Sequence, residues 1–286
     1  MENKKSISLI YISNRYGGLD ILKSSLKRQL YQDDLELVFV DGLYEERKDI
    51  VKSYFEELTD SFTNFTLKHL PDVEMDAENG YKCKLARCDN KAFKNCTNTL
   101  IVSVQDYIYI PAYGLERFYN LHLEKPNSLL TGISHQYYYP SKEDIKDEKG
   151  LITIYGKEYT DRPEVLCWRD PRQSLYNGVE VVRKAYPIEW ELNWAAVPYS
   201  IIKELGGMDE EYDRHGFGYD NTNIATRADM LGYEVYLDNQ NEVYCVSHDK
   251  YWNNYYKDND ILPSHFHNQR MRDIQAGRFP VRLNNL

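Results

Sequence analysis

The first hundred residues alternate short apolar runs with stretches whose apolar positions recur at helical spacing. Ser6–Ile12 (SISLIYI) is a compact apolar run closed by the turn-prone SNRYGG, which predicts a strand and its turn. Leu19, Leu22, Leu26 and Leu30 fall three or four residues apart and predict a helix. Glu36–Val40 (ELVFV) predicts a buried strand ending at Asp41, Ile50–Leu58 a helix, and Phe65–Leu70 a third strand. Lys82–Cys96 sets Leu85, Ala92 and Cys96 on one helical face, and Thr99–Val104 (TLIVSV) predicts a strand ending at Gln105–Asp106. Strands alternating with helices predict an α/β fold with a mainly parallel central sheet flanked by helices. Such sheets bind ligands beyond the carboxyl ends of their strands. Asn14, Asp41 and Asp106 each fall just past a predicted strand, which places them on one shared cleft.

The second half is patterned differently. From about 137 to 187 the chain is charged and rich in Tyr, with a possible hairpin at Leu151–Tyr159; it reads as an insertion over the sheet. A strand at Leu192–Val197, helices at Tyr199–Leu205 and Asn221–Leu231, and strands at Glu234–Leu237 and Glu242–Val246 follow. The expected organisation is one domain over residues 1–248: a nucleotide-binding half (about 1–122), the insertion, and an acceptor half (about 190–248). A tail at 249–286 would pack on or near the site.

Composition narrows the classes. The chain has 286 residues, 42% hydrophobic and 28% charged, as expected of a globular protein with a sizeable core. A net charge of −10 removes a general basic footprint for nucleic acid. The tail QRMRDIQAGRFPVR is the one basic stretch that keeps a nucleic-acid contact open. Five cysteines without a CxxC pair read as free thiols. The apolar run in MENKKSISLIYIS is too short for a signal peptide or transmembrane segment, so the expected location is cytoplasmic. The 26 Tyr against 9 Phe suit a polar cleft or a compositional bias of the source.

The densest chemistry lies in Trp190–His248: a small-residue strand, a GGMDE turn, a GYDN helix start and a late strand leading to His248. With SLIYISNR, LVFVDG and IVSVQDYIYIP, this segment resembles the family-2 glycosyltransferases of the GT-A fold. The resemblance covers roughly residues 6–122 and 190–248. It implies a sugar transferred from a nucleotide-sugar donor, taken as UDP-linked, to an acceptor hydroxyl with inversion. A Mn²⁺ or Mg²⁺ ion and an Asp base would assist. It sets the donor-binding positions on Ser13, Asn14, Arg15, Asp41, Arg87 and Gln105, and the base on Asp220. Counting back from Pro111 puts the metal-binding Asp on Asp106, with His248 as its late partner, while the motif's first carboxylate falls on Val104. Trp194, Asp209 and Glu210 become acceptor-binding candidates. The expected acceptor is a glycan or lipid-linked precursor, with a hydroxylated DNA base as the lesser choice.

Each of these residues also has a plain structural use. Asp106 can cap a strand-end loop, and Asp220 can sit on the open N–H groups of a helix start. Asp209 and Glu210 can cap a helix end, Arg87 can line a solvated helix face, and Trp190 and Trp194 can pack in the core. The alternative function is a non-catalytic GT-A-like nucleotide- or glycan-binding protein, which the loss of the carboxylate at Val104 and of a Glu before Asp220 would suit. No Walker or GxGxxG pattern is present. His265 and His267 form an HxH without neighbouring ligands for zinc.

Overall fold

The computed structural model describes residues 5–138, 150–153, 165–174, 179, 181–216, 218–246 and 263–286. Three parallel βα units build the first half: β1 (Ser6–Ser13), α1 (Leu19–Lys27), β2 (Asp34–Asp41), α2 (Tyr44–Phe55), β3 (Asn64–Pro71), α3 (Leu85–Asn95) and β4 (Leu100–Gln105). The second half holds β5 (Ile108–Tyr109), α4 (Gly114–Glu124), β6 (Ser128–Tyr138), β7 (Val165–Trp168), α5 (Pro171–Ser174), β8 (Val182–Ala185), β9 (Trp194–Pro198), α6 (Tyr199–Leu205), α7 (Tyr212–His215), α8 (Asp220–Met230), β10 (Glu234–Val246) and α9 (Pro263–Gln275).

All strands among the described residues join one sheet in the order β3-β2-β1-β4-β9-β6-β10-β5, with β7 on β6 and β8 on β10. The four strands from β3 to β4 are mutually parallel. β9 runs antiparallel between β4 and β6, while β6 and β10 are parallel. The central strands are buried on both faces, which explains why ELVFV and TLIVSV read as unbroken apolar runs rather than alternating ones. One core lies under α1, α2 and α4 through Leu22, Val51, Phe55 and Phe118. The other lies under α3, α6 and α8 through Ala92, Phe93, Ile202 and Ile224.

The expected strands at Glu234–Leu237 and Glu242–Val246 are one strand, β10, whose register with β6 shifts between Leu237 and Glu242. The extra residues form a bulge with Asn239 and Asn241 fully buried. Trp194 Nε1 donates to the Asn241 carbonyl at 3.1 Å, and the Asn241 amide donates to Gly114 O at 3.2 Å. These polar residues look like a break in the sequence pattern because their partners are distant in the chain: Trp194 of β9 and Gly114 of α4 for Asn241, and Val179 and Val181 before β8 for Asn239. The pattern also passes over α4 and most of β6. The possible hairpin at Leu151–Tyr159 lies mostly outside the described residues.

Among the described residues, no helix is long and apolar enough to cross a membrane.

Candidate active site

The carboxyl ends of β1, β2 and β4 bring Ser13, Asp41 and Asp106 to one edge of the sheet, because the three strands are parallel and adjacent. Asp106 is buried. Its Oδ2 accepts from Ser13 Oγ at 3.2 Å, and its Oδ1 accepts from Arg15 Nη1 at 3.0 Å. The Arg15 guanidinium also lies 5.6 Å from the centroid of the Tyr107 ring. Tyr107 takes a positive φ of 60°, and its hydroxyl donates to Tyr16 O at 2.6 Å, so the β4–β5 turn is tied to the β1 loop. Gly18, at φ 84°, leaves room for that ring: a Cβ there would come within 2.5 Å of it. Asn14 is exposed, and Gln105 is half-buried with its N–H on Asn193 O at 3.0 Å.

Asp41 is wholly enclosed. Arg47 donates to both its oxygens at 2.7 Å, His69 Nε2 lies 2.8 Å from Oδ2, and Leu43 N–H donates to Oδ1 at 2.8 Å. Burial alone would raise this carboxyl's pKa. The hydrogen bonds from His69 and Arg47, with the Arg47 charge, outweigh it and hold the group below the usual range. Arg47 is itself fully buried and reaches Arg15 O at 3.2 Å and Leu151 O at 3.0 Å. The Asp41 carboxylate therefore presents no open face to a ligand. It fixes Arg47, and through Arg47 the backbone of the Arg15 loop.

Asp220 opens α8, and the residue before it, Tyr219, holds the left-handed conformation at φ 65°. Burial raises the Asp220 carboxyl to about 6, against the Asn221 and Asp220 backbone N–H groups that pull it down; the charge of Asp213 adds to the rise. Asp213 of α7 caps α3, accepting from Ala86 N at 3.0 Å, Arg87 N at 3.1 Å and Arg87 Nε at 3.2 Å. That cap binds the α7–α8 segment to the start of α3, beside the carboxyl edge of the sheet, where Lys84 ion-pairs with Asp72 beyond β3.

Four expected contact residues have other employment. Trp194 is fully buried against Phe118, with ring centroids 4.7 Å apart, so no acceptor sugar can reach it. A Cβ on Gly132 would come within 2.3 Å of the same indole, which is why β6 carries glycine there. Asp209 is 6% exposed and its Oδ2 lies 2.8 Å from Arg270 Nε of α9. Glu210 accepts from Asn90 Nδ2 at 2.8 Å. Arg87 is spent on Asp213 rather than turned towards a diphosphate. The GGMDE turn is thus a structural joint. Buried Arg227 donates to Gly207 O at 2.6 Å and Leu205 O at 2.9 Å, and the tail adds Leu283 N–H on Leu205 O at 2.8 Å. The tail and α9 pack on this joint. His267 lies 2.9 Å from the Tyr212 hydroxyl and stacks on Tyr219 with centroids 5.0 Å apart.

His248 lies outside the described residues. β10 ends at Val246, whose N–H donates to Tyr107 O at 2.8 Å, next to Asp106. Among the described residues, no group of three or more His, Cys, Asp or Glu side chains converges on a metal position. The site of the motif's first carboxylate is filled by Val104, 2% exposed in the core. Asp106 is a hard oxygen donor suited to Mg²⁺ or Mn²⁺, and its present cation partner is Arg15. Arg47, Asp213, Asp89 and Tyr107 escaped the sequence reading. Arg47 meets Asp41 only when α2 is set on β2, Asp213 meets the start of α3 only when α7 packs there, and Tyr107 meets Tyr16 only across the β1 and β4 loops.

No protein-family profile and no curated protein matches the chain. Solved structures do. The mannosyltransferase PcManGT from Pyrobaculum calidifontis, in complex with GDP-Man and Mn²⁺, matches with a TM-score of 0.54 and 16% identity over 86% of this chain and 58% of that one. S. aureus TarS 1-349 matches with a TM-score of 0.51 and 12% identity over 85% of this chain and 60% of that one. The chain therefore spans less than two thirds of either structure. At these identities the likeness is one of fold: a mixed α/β glycosyltransferase fold with a mostly parallel central sheet.

Proposed function

We propose that the chain is an inverting glycosyltransferase that moves a sugar from a nucleotide-sugar to an acceptor hydroxyl. The observation that carries this reading is Asp220: a buried carboxyl at a helix start, raised to about 6, docked at the carboxyl edge of a glycosyltransferase-type sheet. A carboxylate tuned to that range is ionised near neutral pH yet more basic than an ordinary Asp, which is what a general base for a hydroxyl requires.

In this reading the β1 loop, Ser13 to Arg15, and Gln105 hold the nucleotide diphosphate, and Asp41 acts through Arg47 to shape that loop. Asp106, with His248, would hold a divalent cation, which when bound neutralises charge on the leaving diphosphate. Arg15, already on Asp106, supplies positive charge at the same point. Asp220 takes the acceptor proton while the acceptor oxygen attacks the anomeric carbon from the face opposite the diphosphate. The donor is read as UDP-linked, with GDP as the competitor because one fold relative binds GDP-Man. The acceptor is read as a glycan or lipid-linked precursor.

The buried Val104 favours one other reading, a nucleotide- or glycan-binding protein that has lost catalysis. Calorimetric titration of UDP and GDP, with and without Mn²⁺, followed by a donor-sugar screen, tests both. Nucleotide binding with sugar transfer that Asp220→Asn abolishes supports the transferase. Binding without transfer supports the binding protein, and no binding at all removes both.

A further inference from the structure

The short link between α7 and α8 delivers Asp220 to its place. Gly216 and Gly218 in it take positive φ of 96° and 116°. A Cβ on Gly218 would meet nothing within 4 Å, so that glycine serves conformation and not close packing. Tyr219 follows at φ 65°; with Tyr107 it is one of two non-glycine residues of positive φ among the described residues. A bulky aromatic residue is strained there and stays only where outside contacts hold it. Its carbonyl accepts from Asn223 N at 2.8 Å, and no side chain caps the helix it opens. The conformation of Tyr219 is thus built into the first turn of α8, whose first residue is Asp220.

The outside contact comes from α9. Its buried residues, Pro263, His267 and Ile274, are spaced four and seven apart and make one stripe. The HxH therefore splits: His265 is exposed, while His267 is 8% exposed. An imidazole stands in this stripe where an aliphatic side chain would serve for packing alone. Its ring stacks on that of Tyr219, with centroids 5.0 Å and planes 25° apart. Its Nδ1 lies 2.9 Å from the buried Tyr212 hydroxyl of α7. Burial raises the Tyr212 hydroxyl and lowers His267, so both are neutral near pH 7 and the bond fixes the imidazole plane without charge. The residues around His267 fix α9 to the same region. Phe266 meets Tyr212 edge-on at 4.9 Å and stacks on His215 at 3.8 Å, and Arg270 pairs with Asp209 at 2.8 Å. Tyr219 is 38% exposed, so the stack and not burial holds its ring.

We propose that His267 is a positioning residue for the base: its ring, fixed by Tyr212, holds the Tyr219 ring and with it the left-handed turn from which Asp220 enters α8. The inference rests on the transferase reading. His267 touches no reacting group in this role and exchanges no proton; it acts through Tyr219. Freed from the stack, Tyr219 relaxes towards negative φ, the first turn of α8 loosens, and the Asp220 carboxyl gains water. The burial that raises its proton affinity is then lost, and the carboxyl returns towards an ordinary Asp.

The test compares His267→Ala, His267→Phe and Tyr219→Gly in the full chain. Each is read by kcat and donor KM, by thermal melting, and by the Asp220 midpoint in a carboxyl ¹³C NMR titration assigned with Asp220→Asn. His267→Ala should lower kcat about tenfold at unchanged donor KM and move the Asp220 midpoint down from about 6. His267→Phe keeps a flat ring and should recover most of both losses. Tyr219→Gly suits the positive φ but has no ring to stack, and it should match His267→Ala. A lower melting temperature in His267→Ala with kcat and the Asp220 midpoint unchanged marks a purely structural role and overturns the proposal. So does wild-type kcat in Tyr219→Gly, or His267→Phe turning over no better than His267→Ala. If His267→Ala fails to fold, Tyr219→Gly, altered at an exposed residue, decides by the same two readouts. Wild-type turnover in Asp220→Asn, or no transfer by the wild type, would instead remove the transferase reading, and the positioning of a base with it. The two failures are distinguishable, because the Asp220 midpoint is read without substrate.

Discussion

The β1–β4 edge and the α7–α8 edge of this molecule treat buried carboxylates in different ways. At the β1–β4 edge Asp41 is buried with Arg47 and His69 on its oxygens, and Asp106 carries Arg15. Hydrogen bonds and opposite charge there outweigh burial, and Asp41 is held ionised below the usual range. At the α7–α8 edge Asp220 and Asp89 are buried with no cation on either among the described residues, and both are raised. The same side chain at similar burial has its proton affinity lowered in one place and raised in the other. The difference lies in where arginine is spent: on Asp41 and Asp106 in the first half, on Asp213 and backbone carbonyls in the second.

The sharpest break in that comparison is Asp220→Asn. Turnover should fall by about 10²–10⁴-fold with nucleotide affinity unchanged, read by steady-state transfer and calorimetry. Arg47→Ala attacks the other side. It leaves Asp41 buried beside an empty guanidinium site, and urea denaturation should show a loss of about 3–5 kcal/mol.

Linkage gives the two edges opposite pH behaviour. Asp41, with its folded pKa depressed, contributes stability at pH above its unfolded value that is lost as pH falls through the folded one. Asp220, with its folded pKa raised from 3.8 to about 6, destabilises the fold at pH above 6 and no longer does so below its unfolded value. Asp220→Asn should therefore gain stability, about 1–3 kcal/mol at pH 7 and nothing near pH 3.5, while transfer is lost. The acid limb of kcat/KM should have its midpoint at about 6. The smallest expected effect is at Arg15, the more exposed member of its ion pair with Asp106. Arg15→Ala should weaken nucleotide binding about tenfold, with a smaller loss of thermal stability than Arg47→Ala, because Arg15 is in part open to water.

Much of the fold was legible in the chain. β1, β2 and β4 are apolar because a central parallel strand is covered on both faces, and that condition is local to each run. The placement of Asp106 just past a strand and of Asp220 at a helix start was legible too. Trp194 and Asp209 read as acceptor contacts because a sequence shows residue type without burial; the indole is sealed by Phe118 and Asn241, and the carboxylate by Arg270 of α9.

The sequence by itself determined the alternation of strands and helices through β4, and which charged residues stand at the carboxyl ends of those strands. Only the tertiary structure decided which of those charges are cancelled. Arg47 lies six residues from Asp41, Arg15 lies 91 from Asp106, and Asp213 lies 126 from Arg87. A carboxyl group's proton affinity is set by what stands within a few ångströms of it, and contacts over such separations form only when the chain is packed.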